Sequence, residues 1–179
     1  MNIEDSHVLA PFVPTDSVVA WGMLMLAEPQ RGDVLLDIGC GEGAIVLEAA
    51  KSIYSFKKIF GIEYNDDRFK KVIHNIKDLR LEDKVEIIHD DALRIDFSKI
   101  DPDIVTMYLT PLGVSKLKPK LESELKQGSK VISNFYEVEG WKPSNAITVK
   151  LKYSTRHGHD FYRENDIYVY KISEPRKKI

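Results

Sequence analysis

Three carboxylates and three glycines carry the most chemistry in this sequence. Asp37 is followed by Gly39, Gly41 and Gly43, inside an apolar run over residues 34–43 that reads Val-Leu-Leu-Asp-Ile-Gly-Cys-Gly-Glu-Gly. A strand that ends in alternate glycines and opens a helix lets the backbone come within contact distance of a ligand, where the free N–H groups of the helix start can meet it. About 20 residues later Glu63 ends a second apolar stretch, at the place where doubly wound nucleotide-binding folds put a carboxylate against ribose hydroxyls. Asp91 closes a third stretch and is placed to accept from the exocyclic amine of a purine. A ligand-free tight turn, a solvated strand-end acid and a helix cap are the plain alternatives for these three features.

The elements needed to position them follow from the hydrophobic period. Residues 1–10 lack periodicity and read as a flexible or ligand-ordered arm. Pro11-Phe12-Val13-Pro14-Thr15 is extended and stiff, because two prolines fix φ and bias the residues before them. Thr15 is then the expected N-cap of a helix over 16–28, with Val18, Val19, Gly22, Met23 and Leu26 inward. A second helix over 42–52 should bury Ile45, Val46, Ala49, Ala50 and Ile53, and a third over 66–79 should bury Phe69, Val72, Ile73, Ile76 and Leu79. Strands are expected at 34–38, 58–64, 85–90, 104–109 and 130–136. A helix over 113–126 should be broken or kinked at Pro119. Residues 146–154 and 166–172 alternate apolar with polar and read as an antiparallel pair. The sum is an α/β chain with a mostly parallel seven-stranded sheet, a C-terminal antiparallel hairpin and helices on both faces, whose ligand crevice lies beyond the carboxyl ends of the strands.

Composition narrows the function classes. At 179 residues, 43% hydrophobic and 30% charged, the chain reads as one globular domain. A formal charge of -2 gives no overall attraction to nucleic acid; only Arg176-Lys177-Lys178 makes a basic patch. The single cysteine, Cys40, excludes an intramolecular disulfide and a multi-cysteine zinc site. His157-Gly158-His159-Asp160 is a poor metal set, so no metal is expected. Lacking a membrane-length apolar run and a secretion-type start, the sequence reads as cytoplasmic.

The glycine spacing also separates two nucleoside cofactors. A dinucleotide turn needs Gly-x-Gly-x-x-Gly, and here the third glycine comes one residue early. Asp-x-Gly-x-Gly-x-Gly instead resembles the signature of the class I, seven-strand S-adenosylmethionine-dependent methyltransferases. Asp37, Gly39, Gly41 and Gly43 match it position for position, Glu63 with Tyr64 matches the ribose end, and Asp91 with Ala92 matches the adenine contact. The resemblance implies a Rossmann-like methyltransferase fold, S-adenosylmethionine as cofactor and S-adenosylhomocysteine as product. Tyr108-Leu109-Thr110-Pro111, after the fourth strand, departs from the Asn/Asp-Pro-Pro-Tyr/Phe pattern of enzymes that methylate adenine amines or glutamine amides.

Together with Pro11-Phe12-Val13-Pro14-Thr15, it resembles a narrower group over about residues 10–172. These are the archaeal broad-specificity protein lysine methyltransferases and their mitochondrial relatives that act on the ATP synthase c-subunit and the adenine nucleotide translocase. The mitochondrial relatives carry an additional hydrophobic N-terminal segment, so this sequence looks like the archaeal type. By that resemblance Tyr108, Thr110 and Thr15 are the expected catalytic residues. Phe12, Tyr108, Leu109, Thr110 and Trp141 are expected to line the substrate channel, and Pro14 and Thr15 to close over the cofactor. Residues 1–30 form the arm and helix covering that site within one domain, 1–179. The implied partners are proteins with accessible lysines, with no stable nucleic-acid binding, no membrane association and a monomeric state. RNA or a small molecule as acceptor, and a non-catalytic cofactor-binding regulator, are the alternatives. A lysine amine, with an ordinary pKa near ~10.4, needs only desolvation to lose its proton and alignment to react, so no dedicated base is obligatory.

Overall fold

The computed structural model describes residues 9–154 and 160–173. Residues 1–8 of the expected arm, His157-Gly158-His159 and Arg176-Lys177-Lys178 lie outside them. The elements in chain order are α1 (Ser17–Ala27), β1 (Val34–Ile38), α2 (Ala44–Lys51), β2 (Lys58–Ile62), α3 (Asp66–Asp78), β3 (Val85–Ile88), α4 (Phe97–Ile100), β4 (Ile104–Met107), α5 (Pro111–Glu124), β5 (Lys130–Asn134), β6 (Asn145–Ser154) and β7 (Asp160–Lys171). Seven strands form one sheet in the order β3-β2-β1-β4-β5-β7-β6. The first five are parallel, β7 runs antiparallel to β5, and β6 pairs antiparallel with β7. The winding reverses between β1 and β4, which opens a crevice at their carboxyl ends.

Alternation along the strands explains the layers. Leu35, Ile59, Ile104 and Ile132 pack with residues of α1, α2 and α3. Their neighbours Leu36, Val105 and Val131 pack on the other face with α4 and α5. A parallel strand buried on both faces is expected to be largely apolar, and β1 and β4 are, except for Asp37 and Thr106, which lie level across the pair. On α1, Met23 and Leu24 are fully buried, each worth about 2 kcal/mol of apolar transfer.

Several local expectations shift. The N-cap of α1 is Asp16 rather than Thr15: its Oδ1 accepts from the Val18 N–H at 2.9 Å, and its negative charge suits the positive end of the helix dipole better than a neutral hydroxyl does. The buried face of α1 accordingly turns to Val19, Ala20, Met23, Leu24 and Ala27, leaving Val18 exposed. α2 ends at Lys51, so Ile53 lies past its last turn and is 89% exposed, and Leu79 is likewise exposed as the C-cap of α3. α5 starts at Pro111, where a proline at the first helical position loses no hydrogen bond, with Thr110 as N-cap. It continues through Pro119 because Ser115 and Pro119 share the exposed face; the one carbonyl that loses its N–H partner reaches water. β7 begins six residues earlier than the pattern indicates and pairs with all ten residues of β6.

Candidate active site at the carboxyl ends of the parallel strands

A cleft lies over the ends of β1, β2, β3 and β4. Its walls bring together Phe12, Pro14 and Thr15 from the arm, Asp37, Gly39 and Gly41 from the glycine turn, Glu63 and Tyr64 after β2, Asp91 and Ala92 after β3, and Tyr108 and Leu109 after β4. Leu9, Ala10, Cys40, Glu42, Ile62, Arg68 and Asp90 also line it.

Glu63 is the organising acid. It is 5% exposed; its Oε2 accepts from the Gly41 N–H at 2.9 Å and its Oε1 from the Asn65 N–H at 2.7 Å. Arg68 Nε stands 3.3 Å from the same Oε1. A carboxylate has about four acceptor positions, so a further donor can join without displacing the backbone contacts. Gly41 sits at φ 57, and a Cβ there would come within 2.7 Å of the Phe12 ring. The arm's aromatic thus closes directly on the glycine turn, with the Arg68 guanidinium 5.2 Å from the ring centroid. Sequence reasoning misses Arg68; its only signal is position, one turn into the helix that Asn65 caps after Glu63.

Asp37 is 2% exposed and lies level with Thr106 across the β1–β4 pair, so the Thr106 hydroxyl donates to Asp37 Oδ1 at 2.8 Å. Burial pushes the Asp37 carboxyl up from 3.8 to about 7; the Thr106 hydroxyl works against the rise and the nearby Glu63 charge adds to it. Burial, helped by the charges of Asp37 and Glu63, also pushes the Cys40 thiol up, which disfavours a thiolate nucleophile. Asp91, 4% exposed, accepts from the Leu93 N–H at 2.9 Å.

Three expected site residues lie elsewhere. Gly43, at φ 97, is the N-cap of α2, and a Cβ there would stand 2.7 Å from Val72, so its task is to let α2 approach α3. The Thr110 hydroxyl donates to the Leu9 carbonyl at 2.8 Å and accepts from the Gly113 N–H at 3.2 Å; it clasps the arm to α5 and lines neither the cleft nor the cavity beside it. Trp141, expected at the channel rim, instead donates from Nε1 to Glu122 at 2.9 Å and packs edge-on against Tyr170, in a separate depression with Glu122 and Lys142. It follows β5, but the chain there turns over the α5 face.

The donor set fits a sulfonium nucleoside. Five carboxylates (Asp37, Glu42, Glu63, Asp90, Asp91) and one guanidinium (Arg68) line the cleft. That balance repels phosphates and suits a ligand carrying positive charge together with hydroxyl and amine donors. Ile62, Ala92 and Leu109 supply apolar surface for a planar base. In such a ligand Glu63 would hold the ribose, Asp91 and Ala92 the base, and Asp37 the cationic end.

Beside the cleft is a second cavity. Pro14, Thr15 and Tyr108 line both; Asp16, Val19, Asn134, Leu151, Tyr153, Arg163 and Asn165 line only the second. Arg163 Nη2 donates to the Tyr108 hydroxyl at 3.3 Å, and the Tyr153 hydroxyl to Asp16 Oδ2 at 3.3 Å. The sequence does offer a weak signal: asparagine is uncommon in strands, and both Asn134 and Asn165 lie in them.

Known proteins agree with this geometry. The family model for the ANTKMT methyltransferase domain matches residues 37–145. A protein-lysine N-methyltransferase of Saccharolobus islandicus is 35% identical over 164 residues, covering 92% of this chain and 94% of that protein. The ATP synthase c-subunit lysine N-methyltransferase of Rattus norvegicus is 28% identical over 143 residues, 77% of this chain and 61% of that one. Among solved structures, an RNA methyltransferase from Salinibacter ruber in complex with S-adenosyl-L-homocysteine superposes with a TM-score of 0.77 at 31% identity, covering 93% of this chain and 98% of that one. No helix among the described residues is long and apolar enough to cross a membrane. With the acid-and-glycine cleft, the seven-strand order and these relatives in agreement, the chain belongs to the ANTKMT methyltransferase domain family and is an S-adenosylmethionine-dependent methyltransferase.

Proposed function

We propose that this methyltransferase transfers methyl groups to the ε-amines of lysine residues on protein surfaces, with broad substrate preference. The observation that carries the reading is the extent of the likeness to the Saccharolobus lysine methyltransferase. It spans 92% of the chain and so reaches beyond the cofactor half that every member of the superfamily shares.

The bound cofactor supplies a methyl carbon made electrophilic by positive sulfur. The chain's own residues do the remainder. Asp37, Glu63 and Asp91 hold the cationic and hydrogen-bonding ends, and Phe12, Pro14 and Thr15 cover the cleft and exclude water. The Tyr108 hydroxyl, on the wall common to both cavities, is placed to contact the acceptor and fix its direction of approach. Among the described residues neither cavity is lined by histidine or lysine; an amine freed of its proton by desolvation has no need of such a base. Thr15 belongs to that common wall as a positioning residue. In this reading the chain works as a single domain, with residues 9–30, the described part of the arm and helix, covering the cofactor, and the protein acts as a monomer.

The Salinibacter structure favours a second reading, methylation of RNA. Affinity for RNA depends on cationic contacts with phosphate, and the charged side chains lining the cleft are five carboxylates against one guanidinium, which supports the protein reading. Incubation with methyl-labelled cofactor and cell extract separates the two. Label recovered as methyl-lysine after acid hydrolysis supports the proposal; label that is released by ribonuclease overturns it.

A further inference from the structure

We propose that the second cavity is the acceptor-amine subsite and that the Asn134–Asn165 pair is its recognition element. This rests on the lysine reading above and adds to it the residues that would select a neutral amine.

Asn134, at the end of β5, is fully buried, and Asn165, in β7, is 3% exposed. Asn165 Nδ2 donates to Asn134 Oδ1 at 3.3 Å. That single bond leaves Asn134 Nδ2 and Asn165 Oδ1 buried with no partner, and both side chains line the cavity. An unpaired buried donor or acceptor costs about 1–3 kcal/mol, so two in contact mark a place built for a polar guest. Turning both amides over exchanges the two residues' roles and still leaves one oxygen and one N–H on the cavity.

The surrounding charges sort the guest. Asp16, whose carboxylate also takes the Tyr153 hydroxyl, attracts an incoming ammonium. At the buried end the free amide N–H, and from the exposed side the Arg163 guanidinium, which donates to Tyr108, disfavour positive charge and press the ammonium to release a proton to solvent. The neutral nitrogen then gives one N–H to the free amide oxygen and another to the Tyr108 hydroxyl, leaving its lone pair directed toward the shared wall. That pair forms the new N–CH3 bond as the C–S bonding pair returns to sulfur. The nitrogen takes over the positive charge, and the methylated ammonium loses a proton to water before any further round.

The test is nuclear magnetic resonance of the side-chain amides with S-adenosylhomocysteine bound. The titrants are a synthetic peptide bearing one lysine and its norleucine counterpart. The Asn134 and Asn165 amide signals should move with the lysine peptide and stay with the norleucine one. Asn165→Ala should keep cofactor affinity within about twofold, which also reports that it folds, and lower kcat/KM for the peptide roughly 10- to 100-fold, the equivalent of one lost buried hydrogen bond. Asn165→Asp should retain peptide binding but move the pH–rate profile about one unit alkaline, because a carboxylate favours the ammonium. Unmoved amide signals together with wild-type kinetics in both variants, while the wild type still forms methyl-lysine, would overturn the subsite alone. Absence of methyl-lysine from the wild-type reaction would instead overturn the lysine reading.

Discussion

Replacing Asp37 by asparagine probes the most heavily perturbed carboxyl in the site. Its folded pKa is about 7 against an ordinary 3.8, so the folded protein holds this proton more tightly than the unfolded chain. Stability from this group is therefore complete below pH ~4 and is lost as pH rises toward 7. The loss is about 4 kcal/mol, three units at roughly 1.4 kcal/mol each. A cationic ligand reverses the preference by stabilising the carboxylate, so cofactor binding should expel the proton. If the bound pKa falls well below 5.5, affinity at pH 5.5 should be about 25-fold weaker than at pH 7.5. Calorimetric titration in buffers of different ionisation enthalpy measures both the affinity and the protons released, about half a proton at pH 7. The Asp37→Asn variant should bind the cofactor weakly, show no pH dependence over this range and unfold at higher denaturant than wild type at pH 8. Wild-type affinity that stays level between pH 5.5 and 7.5 with no proton release would refute this account of Asp37.

Three other outcomes follow from the contacts. Glu63→Ala leaves Arg68 and two backbone N–H groups without their acceptor and should abolish measurable cofactor binding; retained affinity in a fluorescence titration would remove Glu63 from the site. Tyr108→Phe should lower turnover about tenfold, the scale of one lost hydrogen bond, with cofactor affinity nearly unchanged, and equal rates would take the hydroxyl out of the reaction. A Cβ on Gly113 would stand 2.1 Å from the Leu9 carbonyl, so Gly113→Ala should push the arm off α5. Cofactor dissociation should then speed up in stopped flow while the thermal midpoint changes little; a dissociation rate like that of wild type would mean the arm does not retain the ligand.

The cofactor side of the site was legible because each of its acids ends a strand and each strand is read locally. Asp37, Glu63 and Asp91 needed only a period-2 or fully apolar run and a glycine turn to be placed, and all three arrive in one cleft. The acceptor side was not legible in the same way. Asn134 and Asn165 meet across a pairing of β5 with β7, 31 residues apart, and neither has a local pattern announcing the other. Thr110 looked like a crevice residue because it follows β4; the N–H groups at the start of α5 competed for its hydroxyl and took it as a cap. Trp141 looked like a rim residue because it follows β5, and the apolar face of α5 with Tyr170 gave it a better burial site. At Pro119 the rule that proline breaks helices yielded to exposure.

The insertion of β7 between β5 and β6 orders the birth of the two halves in time. Every strand and turn that lines the cofactor cleft has left the ribosome by Leu109, whereas the last of the seven strands to be translated is an interior one that carries Asn165. Until it docks, β5 presents an open hydrogen-bonding edge, and the cavity beside Tyr108 lacks a wall. A nascent chain therefore holds the residues of its nucleoside cradle before it holds those of the proposed acceptor wall, and that wall is complete only when the sheet is closed.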